Sequence, residues 1–513
     1  MADILSVGID IGTSGTKTIL VDDQGYVAAS KTIEYPLETP KPGWTQQNPA
    51  DWWNAAVGSV KAVLEKAQVP AEDIMAIGLS GQMHGMVALD EHNQVVRPAI
   101  LWNDQRTGKQ CEEITEAAGG LDGLLKLTNN RMLTGYTGGK ILWMRENEPE
   151  NYAKTRVVFN PKDYIRFKLT GRIATEVSDA SGTGLFNVRE RAWSYELMDR
   201  LDLPHSLFPE CVESYEVAGT VTEEVAALTG LRAGLPVTAG GGDAVIQTTG
   251  TGLVRQGVLG VVIGTSGVVA MGLDGYKENK GGDLQVFCNN AKHLWHAMGV
   301  TLAAGGSYRW YRDTLCKDEM AEAARTGRNV YDIMGEAAEK VAPGCGGLIF
   351  LPYLSGERCP HNDSDARGVF YGLGLEHGKG AMTRAVMEGV TFSLRDVSER
   401  IYAMDEGIKP EKVIISGGGA MSPLWRQIAA DVFNLPVVTV SGSGEGGAYG
   451  AALVAGVGVG IWPDLVEASK VLHEETVTLP IPENVEVYNR VYALYDKLYL
   501  ALKDSFGELS QLK

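Results

Sequence analysis

The five-residue turn Ile-Gly-Thr-Ser-Gly stands twice in this chain, at Ile11–Gly15 and again at Ile263–Gly267. Each copy lies between two apolar runs, "LSVGIDI" and "TKTILVDD" in the first case, "VLGVVI" and "VVAMGL" in the second. Apolar run, glycine-bearing tight turn, apolar run reads as a β-hairpin. A hairpin repeated at the start of each half predicts a duplicated pair of α/β domains, with the division near Thr248–Gly257. The expected domains are residues 1–248 and 249–513.

The rest of the chain supports an α/β reading. After the first hairpin, "GYVAASKTIEY" extends the antiparallel meander. A helix follows over "NPADWWNAAVGSVKAVLEKA", with Asn48 as N-cap and Pro49 at its first position. "IMAIGLSGQ" reads as a buried strand. In the second half, a long helix is expected over "AMTRAVMEGVTFSLRDVSERIYAM", a strand at "KVIISGGG" and a helix at "SPLWRQIAADVFNL" capped by Ser422. A strand "PVVTV", the small-residue helix "GGAYGAALVAGVG" and a terminal helix complete the pattern. No low-complexity linker separates the halves, so a shared cleft is expected. The small-residue helix is the candidate hinge element.

Composition narrows the partners. With 513 residues, the chain exceeds one ordinary core. A formal charge of −18 argues against nucleic acid, whose phosphates need basic surfaces. No apolar run reaches the roughly 18 residues of a membrane helix. The N-terminus lacks a signal-peptide pattern and leads straight into a strand. Six cysteines without CxxC spacing fit reduced thiols in the cytoplasm. The eight histidines form no HExxH pair, which argues against a protein-held transition metal.

Two nucleotide motifs fail on inspection. Lys17 follows Gly15 through Thr16 and leads into a strand, so there is no P-loop. Gly442, Gly444 and Gly447 match GxGxxG, but no dinucleotide-binding half surrounds them. Close helix packing by Gly446, Gly447, Ala448, Gly450 and Ala451 accounts for that run. The two IGTSG turns remain. Successive backbone N–H groups with two hydroxyls can cradle phosphate oxygens without a lysine. Two such turns can clasp a polyphosphate, and Asp10 before the first would face its Mg²⁺.

Asp243 follows a buried strand and three glycines. It is either a turn or helix-cap residue or a general base accepting a hydroxyl proton in phosphoryl transfer. Gln82, His84, Trp102, Asn103, Asp104 and Arg106 lie at strand ends of the first half. Singly each reads as a satisfied loop residue. Together they offer the donors, acceptors and apolar face that a sugar needs. Gly417, Gly418 and Gly419 form a strand–loop–helix turn able to hold a flat ligand such as adenine.

Together these residues resemble the FGGY family of carbohydrate kinases, most closely its xylulokinases. The resemblance covers nearly the whole chain, through "GIDIGTSGTK", "GWTQQNPADWW", "GLSGQMHG", "RPAILWNDQRT", "FNPKDYIRFKLTG", "AGGGD", "FLPYLSGERCPHND", "GVFYGL" and "SGGGAMSPLWRQIAADV". It implies two ribonuclease-H-like domains of the actin/hexokinase type, with ATP and sugar in the cleft between them. The first domain would bind sugar and carry the base, and the second would bind nucleotide. It implies that Asp10 holds Mg²⁺ through water, and that Gly12, Thr13, Ser14 and Lys17 attend the transferred phosphate. Gly264, Thr265 and Ser266 would bind ATP phosphates, and Gly417, Gly418 and Gly419 would lie against adenosine. Gln82, Met83 and His84 would contact the sugar, with Trp102, Asp104 and Arg106 nearby, and Asp243 would be the base.

The implied reaction converts D-xylulose and ATP into D-xylulose 5-phosphate and ADP. Siblings acting on L-ribulose, L-xylulose, erythrulose, gluconate or glycerol are the enzymatic alternatives. An actin- or chaperone-like nucleotide switch is the non-enzymatic one. Homodimers are common in the family. Two positions depart from its pattern. Ala244 follows the base where xylulokinases commonly carry Asn, which removes an amide beside the sugar. Ala381–Met382 replaces an acidic or amide residue and an aliphatic, read here as surface variation.

Overall fold

The computed structural model describes residues 5–512. Leu5–Ile11 (β1) pairs antiparallel with Gly15–Asp22 (β2), and β2 with Val27–Glu34 (β3). This is the meander that the short glycine turns predict. Pro49–Ala67 (α1) starts where Asn48 accepts a hydrogen bond from the Ala50 N–H and Pro49 takes the first turn. It ends at Gln68, which adopts the left-handed conformation with φ 53°. The chain returns as Ile74–Gly81 (β4), parallel to β1 on the side away from β2. Val7, Ile9, Leu20, Ile77 and Leu79 of this sheet bury against Trp52, Val60 and Val63 of α1.

Farther along come Pro161–Thr170 (α2) and the short helix Val177–Ser181 (α3). Three strands follow: Val217–Thr220 (β5), Pro236–Thr238 (β6) and Gly241–Gly242 (β7). The sheet order is β5-β6-β4-β1-β2-β3, with β7 pairing β4. β7 runs directly into Asp243–Thr249 (α4).

The chain divides into two compact units. The first holds the described residues through Arg255, together with Gly272–His296 and Ser441–His473. The second holds Gln256–Met271, Ala297–Val440 and the described residues from Glu474 on. Five strands of its seven-stranded sheet are Val258–Ile263 (β8), Gly267–Asp274 (β9), Lys412–Ser416 (β10), Val437–Val440 (β11) and Glu474–Thr478 (β12), in the order β9-β8-β10-β11-β12, with Leu294–Thr301 and then Gln285–Cys288 beyond β9. β8 and β9 are antiparallel and β8 and β10 parallel, the same relation as β1 with β2 and β1 with β4. Three of its helices are Gly305–Leu315 (α5), Lys379–Tyr402 (α6) and Pro423–Phe433 (α7). Ser422 caps α7 by accepting the Trp425 N–H.

The small-residue helix Gly447–Gly458 (α8) belongs to the first unit. A Cβ at Gly8 of β1 would overlap the carbonyl oxygen of Ala448, and one at Gly78 of β4 that of Ala451. The helix therefore lies with its backbone on the sheet, and Ala448, Ala451 and Leu453 bury with Ile19, Val21 and Ile246. Close packing is what this glycine-rich run does.

One expectation is corrected. Ala381 is buried on α6 and Met382 half-buried, so this departure is interior to the helix packing rather than surface variation. All six cysteines are free thiols, five of them buried. Among the described residues, no helix is long and apolar enough to cross a membrane.

Candidate active site

The first turn closes with the Gly12 N–H donating to the Gly15 carbonyl at 3.0 Å. Side chains hold the rest of it. The Tyr35 hydroxyl donates to the Gly12 carbonyl at 2.5 Å, and Gln47 Nε2 to the Thr13 carbonyl at 2.8 Å. Trp102 Nε1 donates to Thr13 Oγ1 at 2.9 Å, although the indole is 42% exposed. Thr13 Oγ1 in turn reaches Gln82 Oε1 at 3.3 Å. Gln47 is the hub, since its Oε1 also accepts from Trp52 Nε1 and Gln82 Nε2. Ser14 is exposed.

Strand register places Asp10 opposite Lys17 on β2 and Ser80 on β4. Ser80 Oγ donates to Asp10 Oδ1 at 2.6 Å. Burial raises the Asp10 carboxyl above its ordinary range, while Ser80 and the Lys17 charge pull it back. A Cβ at Gly447 would stand 2.9 Å from Asp10 Oδ1, so glycine lets the start of α8 approach this carboxylate. Lys17 itself is committed within the unit. Its Nζ lies 2.6 Å from Glu445 and 3.2 Å from the Gly444 carbonyl, just before α8.

Asp243 is the first residue of α4, placed there by β7 pairing with the end of β4. Its carboxylate accepts the backbone N–H groups of Met83 and Ala244. Burial first, and then the negative charge of Asp10, push its carboxyl up to about 7 despite those bonds. Among the described residues no cation pairs with it in an ion bridge.

The loop after β4 brings Gln82, Met83 and His84 beside Asp243. Gln82 and Met83 are buried. A Cβ at Gly242 would meet Met83 Cγ at 2.5 Å, so this loop and the base's approach strand are in direct contact. His84 has a positive φ of 69°, and its Nδ1 lies 2.6 Å from the Gly182 carbonyl, which fixes the ring. Its carbonyl accepts from Lys140 Nζ at 2.7 Å and Thr137 Oγ1 at 3.0 Å. Burial pushes the Lys140 amine down to about 7.

The other sugar candidates separate into two groups. Trp102 reaches the first turn. Asp104 and Arg106 instead form a buried pair: the Asp104 carboxylate accepts from the Thr45 N–H at 2.6 Å and from Arg106 Nη2 at 2.7 Å and Nε at 2.9 Å. The guanidinium stacks 3.8 Å from the Trp44 ring centroid. Asn103 Oδ1 accepts from Thr45 Oγ1 at 2.6 Å. These three hold the Trp102 loop in shape.

Backbone groups hold the second turn. The Gly264 N–H donates to the Ser266 carbonyl at 3.1 Å. The Gly305 N–H donates to the Gly264 carbonyl at 2.7 Å, and the N–H groups of Ala304 and Gly306 both donate to the Thr265 carbonyl at 3.0 Å. The start of α5 therefore spends its unpaired N–H groups on the turn. Thr265 remains exposed and Gly264 and Ser266 half-buried. Gly417, with φ 84°, packs at the end of β8, where a Cβ would stand 2.7 Å from the Ile263 carbonyl oxygen. The Gly417–Gly419 loop thus borders the second turn, and Gly418 faces open space.

Sequence reasoning did not assign Tyr35, Gln47, Lys140, Ser178 or Gly182 to the site. Gln47 and Lys140 stand in "GWTQQNP" and "YTGGK", where a polar residue amid apolar and glycine neighbours was the available signal.

The model for the FGGY family of carbohydrate kinases matches in two parts, its N-terminal domain over residues 5–250 and its C-terminal domain over residues 259–459. A xylulose kinase of Bacillus subtilis is 39% identical over 499 residues, 97% of each chain. A xylulose kinase of Escherichia coli is 36% identical, covering 97% of this chain and 99% of its own. The solved structure of a ligand-bound xylulose kinase from Lactobacillus acidophilus is similar with a TM-score of 0.89 at 28% identity, over 98% of this chain and 99% of that one. Two α/β domains of the actin/hexokinase type, a carbohydrate-phosphorylating activity and ATP as phosphoryl donor follow from these matches. The chain belongs to the FGGY family of carbohydrate kinases.

Proposed function

We propose that this kinase transfers the γ-phosphoryl group of ATP to the terminal hydroxyl of D-xylulose, giving D-xylulose 5-phosphate and ADP in the cytoplasm. The observation that carries the reading is Asp243. It is a carboxylate held by two backbone N–H groups, beside Met83 and His84, with its carboxyl pushed up to about 7. A base with a pKa near the working pH combines availability with proton affinity. The acceptor hydroxyl gives its proton to Asp243 as its oxygen bonds to the γ-phosphorus, and the bond to the β-phosphate oxygen breaks to release ADP.

His84 and Met83 shape the sugar side, with Gln82 and Trp102 bordering the first turn. Asp104 and Arg106 act from behind by fixing the Trp102 loop. Gly12, Thr13 and Ser14 offer N–H groups and hydroxyls to the transferred phosphate, and Lys17 adds positive charge at the Asp10 end. Gly264, Thr265 and Ser266 would receive ATP phosphates, and Gly417, Gly418 and Gly419 adenosine. The residues fit Mg²⁺. Asp10, at the end of β1 beside the first turn, supplies a hard carboxylate oxygen of the kind Mg²⁺ takes, the rest of its shell being water and phosphate oxygens. When bound through water at Asp10, the ion would neutralise charge on the phosphate oxygens.

Asp243→Ala should lower kcat by roughly 10²–10⁴-fold, the range expected for losing a general base, with ATP affinity little changed. Near-normal turnover would remove Asp243 from the role. A second reading, a sibling acceptor, rests on Ala244, whose methyl leaves no amide for a sugar hydroxyl. ADP release measured across D-xylulose, L-ribulose, L-xylulose, erythrulose, gluconate and glycerol decides between them. D-xylulose giving the poorest kcat/KM of the panel would overturn the first reading.

A further inference from the structure

We propose that Ser178 is a positioning residue for Asp243. Its hydroxyl, turned by Glu176, holds the Gly242 N–H and thereby sets where the carboxylate stands. The inference rests on the reading of Asp243 as the base.

The geometry begins with the approach to α4. Gly241 and Gly242 pair with Ser80 and Gly81 at the end of β4, which anchors the chain on one side. On the other side stands α3. Ser178 Oγ accepts the Gly242 N–H at 3.0 Å and Asn290 Nδ2 at 3.2 Å, and donates to Glu176 Oε1 at 2.8 Å. A hydroxyl has one proton and two lone pairs, so all its capacity is used. The direction of that proton is not free. Glu176 already accepts the backbone N–H groups of Ser178 at 2.7 Å and Asp179 at 2.8 Å, and the Ser214 hydroxyl at 2.8 Å. Glu176 is thus an acceptor, and Ser178 must point its proton there and its lone pairs toward Gly242.

Glu176 is itself pinned in a buried charge cluster. Lys162 Nζ lies 3.4 Å from Glu176, 2.6 Å from Asp163 and 3.2 Å from Asp179, and Arg166 lies 3.0 Å from Asp163. All five of these side chains are fully buried. Neither Gly241 nor Gly242 has room for a side chain, because Asn290 and Met83 occupy the space. With no side chain to lock this corner, the Ser178 hydroxyl is what fixes it from the α3 side. A misplacement of about 1 Å at a reacting group can cost on the order of 10²-fold in rate.

Asp243 faces Asp10 of β1, with Lys17 of β2 on Asp10, while Glu176, Asp179 and Lys162 stand behind Ser178. Ser178→Ala removes the hydroxyl and opens the corner to water. We expect kcat to fall roughly 10- to 100-fold with KM for ATP within about 2-fold, because the loss is of alignment rather than of binding. The acid limb of the kcat–pH profile should move to lower pH as the carboxyl gains water. Ser178→Thr, which keeps a hydroxyl, should restore most of the rate and the original limb. Glu176→Gln should shift both in the same direction by less, and it decides the matter if Ser178→Ala does not fold. An unmoved acid limb in these variants, or wild-type kcat in Ser178→Ala beside an inactive Asp243→Asn, overturns the inference. Active Asp243→Asn instead overturns the reading of the base itself.

Discussion

The two IGTSG turns share a sequence and are built in opposite ways. The first is held by side chains reaching in from afar: Tyr35, Gln47, Gln82 and Trp102 all bond to Gly12 or Thr13. The second is held by backbone, through three N–H groups of Ala304, Gly305 and Gly306 on the carbonyls of Gly264 and Thr265. A side-chain brace can be removed one bond at a time. A backbone brace depends on two segments approaching more closely than a Cβ allows. The first turn also adjoins two titratable carboxylates, Asp10 and Asp243, and so carries the pH dependence. One peptide motif thus serves a tunable site in one unit and a rigid one in the other.

The largest effect should come from the backbone brace. A Cβ at Gly305 would stand 2.5 Å from the Gly264 carbonyl oxygen, an atom with no rotamer to change. Gly305→Val should destabilise the second unit by about 1–3 kcal/mol, the range for overpacking that moves backbone. It should weaken nucleotide binding more than ~10-fold, since displacing the turn by one hydrogen bond's worth of energy reaches that factor. Calorimetric titration with ADP checks it, and unchanged affinity with an unchanged melting temperature would show that the brace yields.

The side-chain brace should respond less, and its hub the most. Gln47→Ala strands the buried Trp52 Nε1 and the carbonyls of Thr13 and Pro36, and leaves Gln82 Nε2 only its long 3.5 Å bond to the Gly12 carbonyl. Unpaired buried polar groups cost about 1–3 kcal/mol each, partly recovered if water enters, so a loss of roughly 2–3 kcal/mol by urea denaturation is expected. Tyr35→Phe removes the bond to the Gly12 carbonyl and the long 3.4 Å bond from Thr16 Oγ1, and should cost about 1–2 kcal/mol. Equal losses in the two variants would remove Gln47 from its place as hub.

The carboxylates sharpen the contrast through pH. The folded Asp243 carboxyl is pushed up to about 7 from an ordinary 3.8. A carboxyl raised in this way favours the folded state only while protonated. That stability is complete below 3.8 and is lost as pH rises through about 7. Asp243→Asn should therefore raise the melting temperature at pH 8 relative to wild type, and by less or not at all at pH 4. The variant would be more stable and catalytically dead. A pH-independent difference between the two proteins would place the raised carboxyl elsewhere.

Much of this was legible in the sequence where the cause is local. Glycine turns between apolar runs, Asn48 before Pro49 and Ser422 before Pro423 act within a few residues, and the strands and helices stand where those signals put them. The close-packed α8 was readable because only small residues allow backbone on backbone. What the sequence concealed has distant causes. Lys17 is bound by Glu445, far along the chain, so its spacing from Gly15 told nothing of its partner. Asp104 and Arg106 sit two apart, and no pattern at that spacing distinguishes a sugar-facing pair from one closed on itself. Ala381–Met382 was read as surface variation, yet the helix buries Ala381, and which face of α6 packs inward is set by elements distant in sequence. Ser178 and Gly242 meet across 64 residues, with no motif to join them.

The smallest effect expected is at Trp102, and it isolates what a single exposed brace contributes. Its Nε1–H donates to Thr13 Oγ1 at 2.9 Å, but the indole is 42% exposed. Both groups can exchange the bond for water, so Trp102→Phe should cost no more than ~1 kcal/mol in stability. Thr13 Oγ1 keeps Gln82 as a second neighbour at 3.3 Å, and Gln47 still holds the Thr13 carbonyl, so the turn keeps its shape. The phenyl ring keeps an apolar face in place. We therefore expect kcat and KM for sugar each within about 5-fold of wild type, a change of roughly 1 kcal/mol in transition-state stabilisation. A cycle combining Trp102→Phe with Thr13→Val tests the bond itself. If Trp102 acts only through Thr13, Trp102→Phe adds nothing once Thr13→Val is made. A loss as large as that of Gln47→Ala would mean that the exposed ring, rather than the buried amide, governs the first turn.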